Sequence, residues 1–255
     1  MSTFTNSGGE WVRRFHPSDA SDVRVVCFPH AGGSASYYYP MSEALSPGIE
    51  TLALQYPGRQ DRRSETPMNN LAEIADAAFE ALRAWNDRPL VLFGHSFGSI
   101  LAFEVARRLQ DEAGTPPAWV FASGYPAPSR LRGGTIHLRD DAGIIEELRV
   151  LGGTAPVWLE DEDFMASVLP ALRGDYTAIE TYPTAQAEGV RLDSPLTMLV
   201  GDVDPHASLD EAEAWSAHTT GEFDLRVFPG GHFYLDQHGP ELTDLVSTTV
   251  KRILG

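Results

Sequence analysis

Short apolar runs separated by longer helical patterns constrain the fold of this 255-residue chain more than any other feature. Each run is nearly continuous rather than alternating, which is typical of parallel strands covered on both faces. The predicted strands are 23–28, 49–54, 90–93, 119–122, 196–200 and 225–228. The predicted helices between and after them are 35–45, 71–85, 100–110, 209–217 and 241–253. This alternation predicts one α/β domain with a mostly parallel, doubly wound sheet.

One stretch interrupts the alternation of strands and helices. Residues 125–191 contain no convincing core strand, but they carry two helical patterns, at 142–151 and 161–182. Open α/β sheets bind ligands at the carboxyl ends of their strands, and an insertion of this size can cover that edge. We therefore predict a single domain over residues 1–255 with an inserted helical lid subdomain at 125–191.

Composition and charge exclude several classes of protein. The formal charge of −17 argues against a nucleic-acid binder, whose surface would be basic. No apolar run approaches the length that spans a membrane, and the polar start at 1–10 lacks the features of a signal peptide and predicts a short loose tail. The single cysteine, Cys27, lies in an apolar run, which favours a buried hydrophobe in a reducing compartment. We expect a cytoplasmic monomer with no membrane or nucleic-acid partner.

The pentapeptide GHSFG at 94–98 lies between a predicted strand and a predicted helix. In this context the pattern G-x-S-x-G forms a tight turn that holds its serine strained, exposed above the sheet and close to a helix N-terminus. Glycines flank the serine where a side chain would collide with a neighbouring strand or helix. The motif therefore predicts that Ser96 is a nucleophile.

A serine nucleophile needs a base that is oriented by an acid, and this fold supplies them in the order serine, acid, histidine. Of the eight histidines, His232 follows the last predicted strand through a glycine turn, just before the final helix, so we assign it as the general base. The acid should follow the preceding strand, where Asp202 and Asp204 both occur. We favour Asp204, which lies further out in the loop, and expect Asp202 to bind loop backbone.

The oxyanion formed during acyl transfer requires backbone N–H donors. One predicted donor is Phe97, directly after the nucleophile, and the second is Ala31 in the glycine-rich loop at 29–33. This loop has the spacing of neither a dinucleotide-binding nor a phosphate-binding loop, and no lysine follows it. No cluster of His, Cys or Asp has the spacing of metal ligands, so we expect neither a metal nor a cofactor.

Together these motifs resemble those of the type II thioesterases of polyketide and nonribosomal peptide synthesis, which belong to the α/β-hydrolase superfamily. The resemblance rests on FPHAGGS at 28–34, YPGRQDR at 56–62, GHSFG at 94–98, GDVDP at 201–205 and GGHF at 230–233. The Tyr-Pro-Gly-Arg segment is the most family-specific. Phe97 departs from the family, which more often has Met there, but the backbone N–H is retained. The resemblance implies an editing enzyme that acts in trans and removes stalled or wrong acyl groups from the phosphopantetheine arm of an acyl or peptidyl carrier protein.

Two questions stay open at this point. Arg59, Arg62 and Arg63 either contact the phosphate or an acidic carrier protein, or form a solvated loop whose arginines pair with nearby carboxylates. The alternative functions are a chain-terminating thioesterase domain, a carboxylesterase for small molecules and a catalytically silent docking subunit. The intact set of Ser96, His232 and an oxyanion loop argues against the last of these.

Overall fold

The computed structural model of the chain describes residues 8–255, and its centre is a seven-stranded sheet with the order β1-β3-β2-β4-β5-β6-β7. The tail predicted at 1–10 lies outside the described residues except for its last three positions. The strands are β1 (Val12–Arg13), β2 (Arg24–Phe28), β3 (Glu50–Leu54), β4 (Leu90–His95), β5 (Trp119–Ser123), β6 (Leu196–Gly201) and β7 (Phe223–Phe228). All neighbours pair in parallel except β1, which is antiparallel to β3. The predicted fold class is confirmed.

Helices cover both faces of the sheet. They are α1 (Gly8–Trp11), α2 (Tyr39–Leu45), α3 (Leu71–Leu82), α4 (Phe97–Asp111), α5 (Asp141–Leu151), α6 (Pro156–Leu159), α7 (Glu162–Glu180), α8 (Leu209–Glu213) and α9 (Gly239–Leu254). Alternate residues of a strand enter different cores: Leu92 packs in the cluster of α3 and α4, whereas Val91 packs in the cluster of α2 and α9. A strand buried on both faces needs apolar residues at every position, which explains the continuous runs in the sequence.

The structure differs from the predicted elements mainly at their ends. Helix α4 begins at Phe97 rather than at residue 100, and Ser96 is the residue directly before its first turn. The predicted helix at 35–45 is a 3₁₀ turn over Ala35–Tyr38 followed by α2. The edge strand β1 and the four-residue helix α6 were not predicted, because elements this short carry no readable periodicity. None of the helices within residues 8–255 combines the length and the apolar character needed to cross a membrane.

The insertion, defined as residues 125–191, lies between β5 and β6 and contains α5, α6 and α7. Helix α5 ends at Leu151 and is followed by Gly152, whose φ of +79° is the left-handed conformation common after a helix. Helix α7 continues through Pro170 and is the most deeply packed helix of the insertion, with eight buried residues. Its buried face meets the loop after β2, so the insertion contacts the carboxyl edge of the sheet directly.

Candidate active site

Ser96 occupies the sharp turn between β4 and α4. Its φ of 54° and ψ of −124° lie in a region that non-glycine residues rarely adopt, and its N–H donates to the Ser123 carbonyl oxygen over 2.7 Å. A Cβ atom at Gly94 would lie 2.1 Å from the Gly98 carbonyl oxygen, and one at Gly98 would lie 2.0 Å from that of Phe28. These contacts admit only glycine on either side of Ser96 and hold the strained conformation in place.

The loops after β6 and β7 bring a carboxylate and an imidazole together. His232 Nδ1 lies 3.0 Å from both carboxylate oxygens of Asp204, and the two side chains are 1% and 0% exposed. An Nδ1–H that donates to Asp204 leaves Nε2 of His232 free to accept a proton. Asp202 instead accepts a hydrogen bond from the Gly230 N–H over 2.8 Å, and thereby joins the two loops.

Ser96 and His232 line one cavity of about 100 Å³, together with both predicted oxyanion donors, Ala31 and Phe97. Phe97 is the first residue of α4, so its N–H has no acceptor within the helix. Ala31 lies in the loop after β2, between His30 and Gly32. The His30 carbonyl oxygen accepts a hydrogen bond within a turn, and the Gly32 N–H donates to the insertion. The structure therefore brings these four predicted site residues to one place.

The remaining walls of the cavity are mostly apolar and come from the insertion. The side chains of α5 and α7 that line it are Leu148, Leu151, Phe164, Met165, Val168, Leu172, Tyr176 and Ile179. The insertion thus covers Ser96 with a surface suited to an aliphatic or aromatic group rather than a charged one.

Three further histidines surround His232, and the pKa of each is lowered. Burial lowers the pKa of His30 to about 3, with added effects of His232 and Arg59. Burial and the nearby His232 also lower the pKa of His95 and of His206. A neutral ring does not repel the imidazolium that His232 becomes when it takes a proton. Burial therefore favours the neutral form of the three rings around His232.

The three predicted carrier-contacting arginines have different environments. The side chains of Arg59 and Arg62 are 4% and 7% exposed, and they pair with Asp175 and Glu65. Arg62 also lies over the Trp11 ring at 5.0 Å. Arg63 is exposed at the edge of a second groove beside the cavity. Of the three arginines, Arg63 is the exposed one, and contact of these residues with a carrier protein stays a prediction.

Sequence reasoning missed two polar residues of the insertion that contact the catalytic loops. Asp175 of α7 accepts a hydrogen bond from the Gly32 N–H, and Glu147 of α5 contacts His206 in the acid loop. Asp175 was hard to find because an acidic residue in an amphipathic helix usually faces solvent. The only available signal was its position among apolar residues in the second half of α7. In the part of the chain that the structure describes, no group of three or more His, Cys, Asp or Glu residues is arranged to hold a metal ion.

A strained serine after one parallel strand, an acid after a second and a histidine after a third define the class of α/β-hydrolases. Within this class the chain belongs to the thioesterase family, since the family model described as "Thioesterase domain" matches residues 23–252.

Comparisons with individual proteins agree with this assignment. The chain is 49% identical over 254 residues to the "Probable cadicidin biosynthesis thioesterase" of Streptomyces griseus, covering 100% of this chain and 68% of that protein. It is 45% identical over 240 residues to "Thioesterase PikA5" of Streptomyces venezuelae, covering 94% and 85%. The structure of the type II thioesterase BorB from the borrelidin biosynthetic cluster matches with a TM-score of 0.86 and 45% identity, over 94% of this chain and 97% of BorB. The predicted resemblance to type II thioesterases is confirmed, and the protein is a thioester hydrolase.

Proposed function

We propose that this protein edits a biosynthetic assembly line: it hydrolyses stalled or wrong acyl groups from the phosphopantetheine arm of an acyl or peptidyl carrier protein. It would act in trans, as a cytoplasmic monomer and without a cofactor. The observation that carries this proposal is the combination of Ser96, in a small and mostly apolar cavity, with a larger groove that opens beside it and has several polar side chains in its lining.

The groove beside the cavity has about 470 Å³ of space and shares His30, Gly32, Phe164 and Val168 with it. Its other lining residues include the polar side chains of Ser34, Ser36, Gln60 and Arg63. An acyl thioester on phosphopantetheine has parts that correspond to these two spaces. It has an acyl group at one end, a long arm that contains amides, and a phosphate at the other end. Placing the acyl group in the cavity would bring the thioester to Ser96 and the arm into the groove, and would leave Arg63 near the phosphate.

The proposed mechanism uses the residues already described. Ser96 Oγ attacks the thioester carbonyl carbon while His232 takes its proton, and Asp204 holds the imidazole in the required tautomer. The N–H groups of Ala31 and Phe97 stabilise the oxyanion. Collapse of the tetrahedral intermediate releases the thiol with the proton from His232. Water activated by His232 then attacks the acyl-serine, and the carboxylic acid leaves.

We also propose that the insertion acts as a lid. Its apolar side chains cover Ser96, and closure over an acyl group would exclude bulk water except for the molecule needed for deacylation. A lid of this kind favours acyl groups that fit beneath it, which is consistent with removal of small aberrant groups rather than of a full-length product.

The direct test is the release of acid from an acyl-loaded carrier protein by wild type and by Ser96→Ala. We expect rapid release by wild type and no release above background by Ser96→Ala, with faster turnover of the carrier thioester than of the ethyl ester of the same acid. Cleavage of the ester with an intact carrier thioester would instead indicate a carboxylesterase. Activity only on a carrier protein that bears the full-length acyl product, with cyclisation or hydrolysis of that product, would indicate a chain-terminating enzyme.

A further inference from the structure

A tight turn in the loop after β2 carries one of the two proposed oxyanion donors. The Gly33 N–H donates to the His30 carbonyl oxygen over 2.9 Å, which closes a four-residue turn with Ala31 and Gly32 at its centre. Gly32 has a φ of +71°, the value expected at the third position of a type II turn. In such a turn the N–H of the third residue has no partner inside the turn, and it must find an acceptor elsewhere.

Asp175 of α7 provides that acceptor. Its Oδ2 atom lies 2.7 Å from the Gly32 nitrogen, and its side chain is 0% exposed. The alternative type I turn differs from type II by a flip of the central peptide. That flip would turn the Ala31 carbonyl oxygen toward the carboxylate in place of the Gly32 N–H. Asp175 therefore selects one of the two turn conformations.

The bond from Asp175 bears on Ala31 through the position of the whole turn, because the peptide that contains the Ala31 N–H has the same orientation in type I and type II turns. The peptide before the Ala31 Cα is held by the bond from Gly33 to the His30 carbonyl, because that carbonyl and the Ala31 N–H belong to one planar unit. The peptide after its Cα is held by Asp175. The bond from Gly33 therefore sets the direction of the Ala31 N–H within the turn, and the bond to Asp175 sets where the turn lies relative to α7.

Helix α7 also packs against the same turn through an apolar contact. A Cβ atom at Gly32 would lie 2.6 Å from Cδ2 of Leu172, so Leu172 touches the turn closely. Leu172 and Asp175 are three residues apart and lie on one face of α7. That face combines steric support for the turn with the acceptor for its N–H.

Arg59 completes the arrangement from the opposite side. Its guanidinium pairs with Asp175, donates to the Pro57 carbonyl oxygen over 2.6 Å and lies 5.2 Å from the centre of the Tyr56 ring. Burial raises the pKa of the Asp175 carboxyl, and Arg59 and the Gly32 N–H oppose that rise. The conspicuous Tyr-Pro-Gly-Arg segment thus supports the carboxylate that contacts the oxyanion loop.

The ion pair of Asp175 and Arg59 is not expected to add much to the free energy of unfolding. Asp175 Oδ1 and Arg59 Nε are buried without a hydrogen-bond partner among the residues that the structure describes. Buried ion pairs are frequently no more stabilising than apolar side chains of similar volume, and unsatisfied polar atoms add a further cost. A role in holding the loop accounts for charged groups at this position.

We propose that Asp175 is a positioning residue, through which α7 and Arg59 fix the oxyanion loop in the conformation that stabilises the tetrahedral intermediate. The proposal rests on the proposed function in one respect, since it takes the Ala31 N–H as an oxyanion donor. It makes α7 a structural part of the oxyanion hole as well as a wall of the acyl cavity.

The test compares Asp175→Ala, Asp175→Asn and the control Asp163→Asn, whose aspartate is exposed on the same helix. With an acyl-N-acetylcysteamine thioester, we expect Asp175→Ala to lower kcat by about 10²-fold, the effect of losing an oxyanion donor. KM should change little. Asp175→Asn keeps an oxygen that can accept from Gly32, so it should recover part of the loss, and the control should match wild type. Equal kcat in all variants would overturn the proposal.

A second measurement separates positioning from a general loss of structure. A trifluoromethyl ketone with the same acyl group adds to Ser96 as a tetrahedral oxyanion, whereas the carboxylic acid product does not. We expect the affinity of Asp175→Asn for the ketone to fall in parallel with kcat and its affinity for the acid to stay constant. Parallel losses for ketone and acid, or a thermal midpoint that falls while the ketone-to-acid ratio is unchanged, would assign Asp175 a merely structural role.

The two proposals can fail independently. If wild type cleaves the small thioester but leaves a loaded carrier protein intact, carrier editing fails while the variants still report on the oxyanion loop. If the carrier is edited and the Asp175 variants behave as wild type, the positioning role fails alone.

Discussion

The insertion is attached to the oxyanion loop through Asp175, which pairs with Arg59, and to the acid loop through Glu147, which contacts His206. These two attachments differ in burial. On the oxyanion side Asp175 and Arg59 have side chains that are 0% and 4% exposed, and Leu172 packs beside them. On the acid side His206 Nε2 lies 2.8 Å from Glu147 Oε1, and these side chains are 19% and 13% exposed. The first attachment is enclosed, whereas water can reach the second.

The helices that carry these attachments differ in the same direction. Helix α7 buries eight residues, but Ile144 is the only fully buried residue of α5. Large apolar side chains on α5 and α6 are exposed, including Val150 and Val157 at 60% and 66%. Regions with few buried contacts open at lower free-energy cost than well-packed ones. We therefore expect any opening of the insertion to occur at α5 and α6, while α7 stays on the oxyanion loop.

The largest expected effect is on kcat when the acid loop is changed. The comparison of the two attachments depends on this loop carrying the catalytic acid. Asp204→Asn should lower kcat by about 10⁴-fold, since an amide beside Nδ1 favours the wrong imidazole tautomer. Asp202→Asn should stay within a few-fold of wild type, because Asp202 binds the Gly230 N–H. Steady-state kinetics on a small thioester distinguish the two. A severe loss in Asp202→Asn with an active Asp204→Asn would reverse the assignment of the acid and remove the basis for comparing the loops.

This pair of aspartates also shows how far sequence reasoning reaches. The order of motifs along a parallel sheet determines which loops meet, so Ser96, His232 and the acid loop could be predicted from the sequence. The choice between Asp202 and Asp204 depends on loop geometry, which the sequence expresses only weakly. The partner of Arg59 lies 116 residues away in a helix of the insertion, and no local pattern predicts such a contact. Short elements such as β1 and α6 were missed for the related reason that their structure depends on tertiary packing.

A smaller effect is expected when the exposed attachment is weakened. Glu147→Gln removes the charge that His206 and Arg139 share. Partly exposed ion pairs contribute up to about 1 kcal/mol, so the opening of α5 should become at most about fivefold more frequent. Hydrogen exchange followed by mass spectrometry should show faster exchange in α5 and unchanged exchange in α7. The matched control is Glu146→Gln, whose glutamate pairs with Arg149 on the exposed face of α5. Acceleration of α7 to the same degree would show that the insertion moves as one body.

The smallest expected effect is a dependence of the free energy of unfolding on pH. It distinguishes the two attachments because only one of them contains a group that titrates near neutral pH. The acid-side attachment contains His206, whereas the oxyanion-side attachment contains an arginine that stays protonated. Burial lowers the pKa of His206, so below about pH 6.5 the unfolded chain takes up a proton that the native protein resists. The free energy of unfolding should therefore fall as the pH decreases below that value, with at most about 1.4 kcal/mol per pH unit from this group. Above about pH 7.5 the same residue should contribute no slope.

Urea unfolding of wild type and His206→Gln at pH 7.5, 6.5 and 5.5 isolates this contribution, because the other buried histidines are present in both proteins. We expect the free energy of unfolding of wild type to fall more steeply on acidification than that of His206→Gln. Identical slopes would show that the His206 ring is as easily protonated in the native protein as in the unfolded chain. In that case the acid-side attachment would be open to solvent most of the time, and the contrast between a fixed α7 and a movable α5 would be larger than the static distances indicate.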